Sequence, residues 1–279
     1  MNDTRPIPCS VGVLTFNNEA TLPRALESVK AFSDIIVCDG GSSDRTRDIA
    51  EQFGARVIDQ DAQFKNQNGT IADFAGVRNQ TLTAATHDWF LYLDSDEYLS
   101  PDVVEEIRAV VEAPESTTAP IAYRLPRKTV VQGVCIECAT AYPNYQTRLF
   151  RKSASKGFVK RVHERPSLPK NAHIGTLTHP EYVPLNLTEE EMKNKQRYYL
   201  SIEVERHKDE TFWQWLLGPV ADSLRSSLSY LVRHVRILLF CRGVRMPLWV
   251  EFMHHWYNWE LIRQTGAKFF TSRKQESAG

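Results

Sequence analysis

This sequence predicts an α/β protein built on a doubly wound sheet, followed by a helical extension. Three observations predict it. Apolar, strand-like runs alternate with helical periods through the N-terminal third. Three of those runs end in short polar clusters: Thr15–Asn18, Asp39–Ser42 and Asp94–Glu97. The composition then shifts at Thr188 to long helical periods rich in bases and aromatics. Strand–helix alternation with short connections gives a mostly parallel sheet, whose ligands sit outside the carboxyl ends of the strands.

Val11 to Phe16 reads as the first buried strand, with Asn17-Asn18-Glu19 as a polar loop behind it. A helix is expected from Thr21 to Phe32. Pro23 lies in its first turn, where a missing N–H is harmless, and Leu22, Leu26, Val29 and Phe32 form its apolar face. Ile35 to Cys38 is a second strand, running into the glycine-rich turn Asp39-Gly40-Gly41-Ser42-Ser43-Asp44 and a helix closed by Gly54. Ala55 to Ile58 is a third strand, and Ile71 to Ala85 a helix. Trp89 to Leu93 is unbroken and apolar, as a strand buried on both faces must be. After a helix over Pro101 to Ala113 and a Pro/Ser/Thr-rich loop over 114–120, short strands are expected at Ile121–Leu125, Thr129–Val134, Thr147–Phe150 and Phe158–Val162. Thr188-Glu189-Glu190-Glu191 has capping-box spacing and opens a helix to His207.

A chain of 279 residues can bury one core plus an appendage, or form two small domains. The expected division is 1–187 for the sheet and 188–279 for the extension. With 34 basic and 34 acidic residues the formal charge is balanced, so no general affinity for nucleic acid is expected. Five cysteines without a regular framework point to a reducing compartment, and Cys135-x-x-Cys138 reads as two ordinary thiols. Met1 to Pro8 holds no apolar leader segment, and no run of apolar residues is long enough for a simple membrane span.

The acidic cluster after Leu93 reads either as a solvated acidic turn or, from its position at the carboxyl end of a buried strand, as a cation site. On an extended chain Asp94 and Asp96 point the same way, roughly 6.5–7 Å apart. At an effective dielectric of about 20 they repel by roughly 2.4 kcal/mol. A divalent ion removes that penalty, and hard carboxylate oxygens suit Mg²⁺ or Mn²⁺. The C-terminal segment is of another kind. Leu224, Leu228, Leu231, Val235 and Leu238 share one helical face. From Ala221 onward there are nine bases and four acids, an excess of five positive charges (nine minus four). With Trp249, Trp256, Tyr257 and Trp259 this suits peripheral contact of 221–274 with an anionic membrane surface, the alternative being a packed helical subdomain with a basic solvent face.

The strand-end motifs Val13-Leu14-Thr15-Phe16-Asn17-Asn18-Glu19, Val37-Cys38-Asp39-Gly40-Gly41-Ser42-Ser43-Asp44-Arg45-Thr46 and Asp88-Trp89-Phe90-Leu91-Tyr92-Leu93-Asp94-Ser95-Asp96-Glu97 resemble those of family 2 glycosyltransferases of the GT-A fold. Arg148-Leu149-Phe150-Arg151, Val162-His163-Glu164-Arg165 and His179-Pro180-Glu181-Tyr182 are similar to the bacterial branch that includes lipopolysaccharide-core β-glucosyltransferases. The resemblance implies an inverting hexosyltransferase. It would use a nucleotide-sugar donor, UDP-linked by preference, and a glycan or glycolipid acceptor at the cytoplasmic face of the inner membrane. Thr15, Phe16, Asn17 and Glu19 would hold base and ribose. Asp39 would accept from the pyrimidine N–H, Arg78 and Asn79 would lie near the diphosphate, Asp94 would face ribose or the metal's water shell, and Ser95 would face the donor. Asp96 and His179 would ligate Mn²⁺ or Mg²⁺. Glu164 would be the catalytic base, although this chain lacks the Glu-Asp pair common elsewhere in the family. Two other readings stand beside this one: a polyprenyl-phosphate glycosyltransferase, which needs no base, and a non-catalytic membrane-surface binding module.

Overall fold

The computed structural model describes residues 5–66, 69–114, 116, 118–161 and 164–271. Val162, His163, Arg273, Lys274 and Glu276, used in the sequence reading, lie outside the described residues. The described chain falls into two compact units: residues 5–130 with Pro143–Pro184, and Val131–Tyr142 with 185–271.

The first unit opens with β1 (Ile7–Thr15), α1 (Leu22–Val29), β2 (Phe32–Asp39), α2 (Thr46–Gln52), β3 (Arg56–Asp59), α3 (Phe74–Ala84) and β4 (Trp89–Asp94). β1 lies between β2 and β4, and all of these contacts, with β2–β3, are parallel. The alternating pleat sorts the side chains. Val11, Val13, Leu91 and Leu93 join Leu22, Leu26, Val29, Val103 and Ile107 in one core. Phe90 and Tyr92 pack with Ala75, Leu82, Phe150 and Phe158 in another. The strand expected to be buried on both faces is so. α3 can approach β1 because residue 12 is glycine; a Cβ there would fall 2.7 Å from Thr81 and Phe90. This helix starts at Phe74 rather than Ile71, because Asp73 caps it by accepting from the Gly76 N–H at 3.0 Å.

Beyond β4 the sheet turns antiparallel. After β5 (Tyr98–Leu99) and α4 (Pro101–Val111) come β6 (Ala122–Val131), β7 (Val134–Cys135), β8 (Tyr145–Arg151), β9 (Phe158–Val159), β10 (Arg165–Pro166), β11 (Ile174–Thr176) and β12 (Glu181–Leu185). The spatial order is β3-β2-β1-β4-β8-β6-β12-β5, and β9 with β10 makes a separate antiparallel hairpin. This is the mixed α/β sheet that the GT-A resemblance implies. The two strands expected across 121–134 merge for most of their length into the single strand β6, since the chain stays extended through Pro126, opposite Tyr145.

The second unit is held by α5 (Glu189–Arg206), α6 (Phe212–Trp215), α7 (Ala221–Phe240) and α8 (Leu248–Thr271). The Thr188/Glu191 capping box forms as its spacing predicts. Trp215 donates to Thr265 at 2.9 Å, and Lys268 satisfies the carbonyls of His207, Lys208 and Glu210 just past α5. Two cysteines correct the sequence reading. Cys138 and Cys241, 103 residues apart, form a disulfide with a Cα separation of 6.2 Å, so Cys138 is not an ordinary thiol. Spacing along the chain gave no sign of a partner that only folding brings near. Cys9, Cys38 and Cys135 are free.

Candidate active site

Three loops leave the carboxyl ends of β1, β2 and β4, which neighbour one another in the sheet. Side chains tie these loops into one rim. Asn18 Oδ1 accepts from Thr15 Oγ1 (3.0 Å), the Phe16 N–H (2.9 Å) and Ser95 Oγ (3.0 Å). The Asn17 N–H donates to Ser42 Oγ at 2.8 Å, and Asn17 Oδ1 accepts from the Ser43 N–H at 2.9 Å. The Glu19 N–H donates to Asp44, and the Arg45 N–H donates back to Glu19, each at 3.1 Å. Asn17 adopts φ 51°, a left-handed conformation that asparagine tolerates. Thr15, Phe16, Asn17, Glu19 and Ser95 thus come together, and Phe16 presents an exposed ring beside them. Asn18, inside the loop expected to hold base and ribose, is the acceptor at the centre.

Asp39 is wholly buried and turned into its own loop. Its carboxylate accepts from the N–H groups of Gly41 (3.0 Å) and Ser42 (2.9 Å), from Ser42 Oγ (2.5 Å) and from Arg47 (3.1 Å). Burial disfavours its charge, but the Ser42, Gly41 and Arg47 hydrogen bonds outweigh that and hold the carboxyl below the usual range. It organises the glycine-rich turn.

The extended geometry expected for Asp94 and Asp96 does not occur. β4 ends at Asp94, and the Glu97 N–H closes a turn on the Asp94 carbonyl at 3.0 Å. The turn leaves Asp96 exposed and sends Glu97 inward, where it is 3% exposed. Asp94 and Glu97 are therefore the acids that meet, and they meet around arginine. Arg148, fully buried, donates from Nε to both Glu181 oxygens (3.1 and 3.0 Å) and from Nη2 to Asp94 (3.3 Å) and Glu97. Arg78 donates to Asp94, to the Leu93 carbonyl (3.3 Å) and to Glu164 Oε1 (3.2 Å). Arg127 pairs with Glu97, and its Nε makes an ion contact at 2.7 Å with Glu181 that is not aligned as a hydrogen bond. The Arg78 and Arg148 guanidinium carbons lie 5.0 and 4.7 Å from the centre of the Tyr92 ring.

Charge balance in this cluster follows from burial. Three guanidiniums face four carboxyls, Asp94, Glu97, Glu164 and Glu181. Burial opposes ionisation of Asp94, yet Arg78 and Arg148 hold it well below the carboxylate range. Burial pushes the Glu97 carboxyl up to about 8, with Asp94 and Glu181 adding to the rise against Arg148 and Arg127. At neutral pH a proton on Glu97 leaves three charges against three. Arg148 and Glu181 are not among the site residues expected from sequence, although one signal is present: an arginine placed directly before the buried pair Leu149-Phe150.

Two expected positions are placed elsewhere. Asn79, next on the helix to Arg78, clamps β9: its Nδ2 donates to the Phe158 carbonyl (3.1 Å) and its Oδ1 accepts from the Phe158 N–H (2.7 Å). Adjacent helical residues do not share a face, so Asn79 holds the hairpin rather than facing the rim. His179 is exposed, and its Nδ1 lies 3.3 Å from Glu106 of α4. The β12–β5 register pairs Glu181 with Leu99 and Tyr182 with Tyr98, so the chain at His179 runs away from Asp96. The structure does not bring His179 to Asp96. Among the described residues, no group of three or more His, Cys, Asp and Glu side chains is gathered as a metal cage. Glu164 is brought to the cluster through Arg78, and it also lines a cavity of about 440 Å³ with Tyr92, Tyr145, Gln146 and Arg165.

The profile of the family described as Glycosyl transferase family 2 matches residues 10–156, more than half of the chain and all three rim loops. The chain belongs to glycosyl transferase family 2. Among its curated relatives, a TPR repeat-containing protein of Synechococcus elongatus is 35% identical over 144 residues, 51% of this chain and 31% of that protein. The SPbeta prophage-derived glycosyltransferase SunS of Bacillus subtilis is 29% identical over 209 residues, 72% of this chain and 45% of SunS. The lipopolysaccharide core biosynthesis glycosyltransferase LpsC of Rhizobium meliloti is 24% identical over 226 residues, 78% of this chain and 80% of LpsC. The chain thus spans less than half the length of the first two. Among solved structures, S. aureus TarS in complex with UDP-GlcNAc matches 71% of this chain and 65% of that one, with 16% identity and a TM-score of 0.46.

Proposed function

We propose that this family 2 chain transfers a hexose from a nucleoside-diphosphate sugar, UDP-linked by preference, to a hydroxyl of a glycan or glycolipid, inverting the anomeric centre. One observation carries the reading: three strand-end loops are hydrogen-bonded into one rim, and Arg78 bridges Asp94, at the end of β4, to Glu164 in the wall of a cavity. The rim supplies polar groups and an exposed aromatic ring for a nucleotide, and the cavity supplies room for an acceptor. The acceptor oxygen bonds to the anomeric carbon as the bond from that carbon to the diphosphate oxygen breaks. The electron pair leaves with the diphosphate, and the hydroxyl proton passes to Glu164. Arg78 orients Glu164, and Asn79 holds the hairpin that carries the cavity wall.

The donor set suits a divalent ion of a particular kind. Mg²⁺ and Mn²⁺ at diphosphate sites commonly take one or two carboxylates and complete their shell with water and phosphate oxygens, so no protein cage is needed. Asp96, exposed at the tip of the turn, fits such a ligand; His179 joins only if its ring leaves Glu106. When bound, the ion neutralises charge developing on the leaving diphosphate.

The test is a screen of nucleotide-sugars with Mg²⁺ or Mn²⁺ on the full chain, reading thermal stabilisation and release of nucleoside diphosphate. One donor should stabilise in a divalent-dependent way, and Asp96→Ala should lose that dependence. Glu164→Gln should still bind the donor but transfer at least about 100-fold more slowly. Near-normal turnover in Glu164→Gln would instead favour a polyprenyl-phosphate acceptor, already ionised. No divalent-dependent binding of any donor would sink the reading and leave a non-catalytic surface module.

A further inference from the structure

The cavity beside Glu164 has a chemical character of its own, and the geometry points to an acceptor sugar that carries an anionic group, a phosphate or a carboxylate. This inference rests on the reading above that the cavity takes the acceptor. Its mouth exposes apolar surface suited to a sugar face: Tyr145 is 44% exposed, Ile174 42% and Val159 38%. Aromatic rings and the C–H faces of pyranoses are complementary in this way. The polar groups are unevenly charged. Glu164 is the carboxylate in the lining, and Arg78 already answers it from behind. Arg165 also lines the cavity, is exposed, and has no carboxylate partner among the described residues. Arg124 stacks its guanidinium 5.1 Å from the Tyr145 ring centre, and among the described residues its Nε donates to Thr176 at 2.7 Å while its terminal nitrogens make no hydrogen bond. Arg165 in the lining thus has donors to spare, and a second guanidinium, Arg124, lies over the lining ring of Tyr145, in a site whose own carboxylate, Glu164, is already answered by Arg78. A neutral sugar leaves both unanswered. A phosphate or carboxylate on the sugar accepts from Arg165 while the ring lies against Tyr145.

The experiment measures binding of glucose, glucuronate and glucose 6-phosphate to the full chain, by ligand-observed NMR, with UDP and Mg²⁺ present. Hydrogen bonds to charged groups are worth enough to expect the anionic sugars to bind at least about ten-fold more tightly than glucose. Arg165→Gln should bring them to within about two-fold of glucose, and Arg165→Lys should restore most of the preference. Preference for glucose 6-phosphate alone identifies a phosphate group, for glucuronate alone a carboxylate, and for both a simple charge requirement. The inference falls if glucose binds as well as the anions, if no sugar binds while UDP does, or if the preference survives Arg165→Gln. A chain that binds the anionic sugars but no nucleotide would overturn the donor reading and leave the anionic site standing.

Discussion

Glu97 touches two guanidiniums, Arg127 and Arg148, and still keeps its proton at neutral pH, because it is buried beside Asp94 and Glu181. Its carboxyl moves from an ordinary 4.5 up to about 8 in the fold. Between these values the folded chain holds a proton that the unfolded chain has released. Stability therefore falls as pH rises from about 4.5, and levels off above about 8, with a limiting slope of about 1.4 kcal/mol per pH unit for one proton. Asp94, Asp39 and Asp34 are shifted the other way and act only at lower pH. Glu97→Gln removes the titration without removing the shape. Thermal melts between about pH 5 and pH 8 should show a flatter stability profile in the variant than in the parent. Equal slopes would mean that Glu97 is ionised in the fold.

At the scale of elements, the rim depends on one amide. Asn18, in the loop after β1, accepts from donors on that loop and from Ser95 of the β4 loop. Asn18→Ala should destabilise the chain by about 1–3 kcal/mol, since the Phe16 N–H and two hydroxyls lose their acceptor. It should also weaken nucleotide binding by loosening the two loops together. Calorimetric melting and nucleotide titration check both effects, and Asn18→Asp, which keeps the acceptor, should lose less of either. An alanine variant that melts and binds like the parent would show that the loops hold themselves. The β1, β2 and β4 loops were legible in the sequence because each follows an apolar run and begins with a polar residue. Strand periodicity does not extend to the Asp94–Glu97 turn, because the strand ends at Asp94, two residues before Asp96. The turn exchanged Asp96 for Glu97 as the inward acid.

At the scale of the whole molecule, the second unit keeps the apolar face that the sequence predicts on α7. Leu224, Leu228, Leu231, Val235 and Leu238 remain between 46 and 61% exposed. Arg236 and Arg242 are exposed near it, without carboxylate partners among the described residues. No helix of the described chain is long and apolar enough to cross a membrane. From the exposed apolar face and the bases beside it we propose that α7 lies on an anionic bilayer surface. The full chain should cosediment with phosphatidylglycerol-containing vesicles and much less with phosphatidylcholine alone, and added salt should release it. Replacing Arg236 and Arg242 together with alanine should weaken binding by about 2 kcal/mol. Equal binding to both vesicle types would remove the electrostatic component of the proposal, and binding to neither would remove it whole.

Local periodicity and turn chemistry were enough to specify the parallel half of the sheet, its three polar strand ends and the helical extension. Which charges meet was settled only by folding. Arg78, Arg127, Arg148, Glu164 and Glu181 come from well-separated segments, and no short-range pattern says that they surround the turn after Leu93. The same holds for Cys138 with Cys241, and for His179, which folding pairs with Glu106 instead of Asp96. Local pattern fixes where a side chain leaves the backbone, but burial and charge balance are properties of the neighbours that arrive from elsewhere.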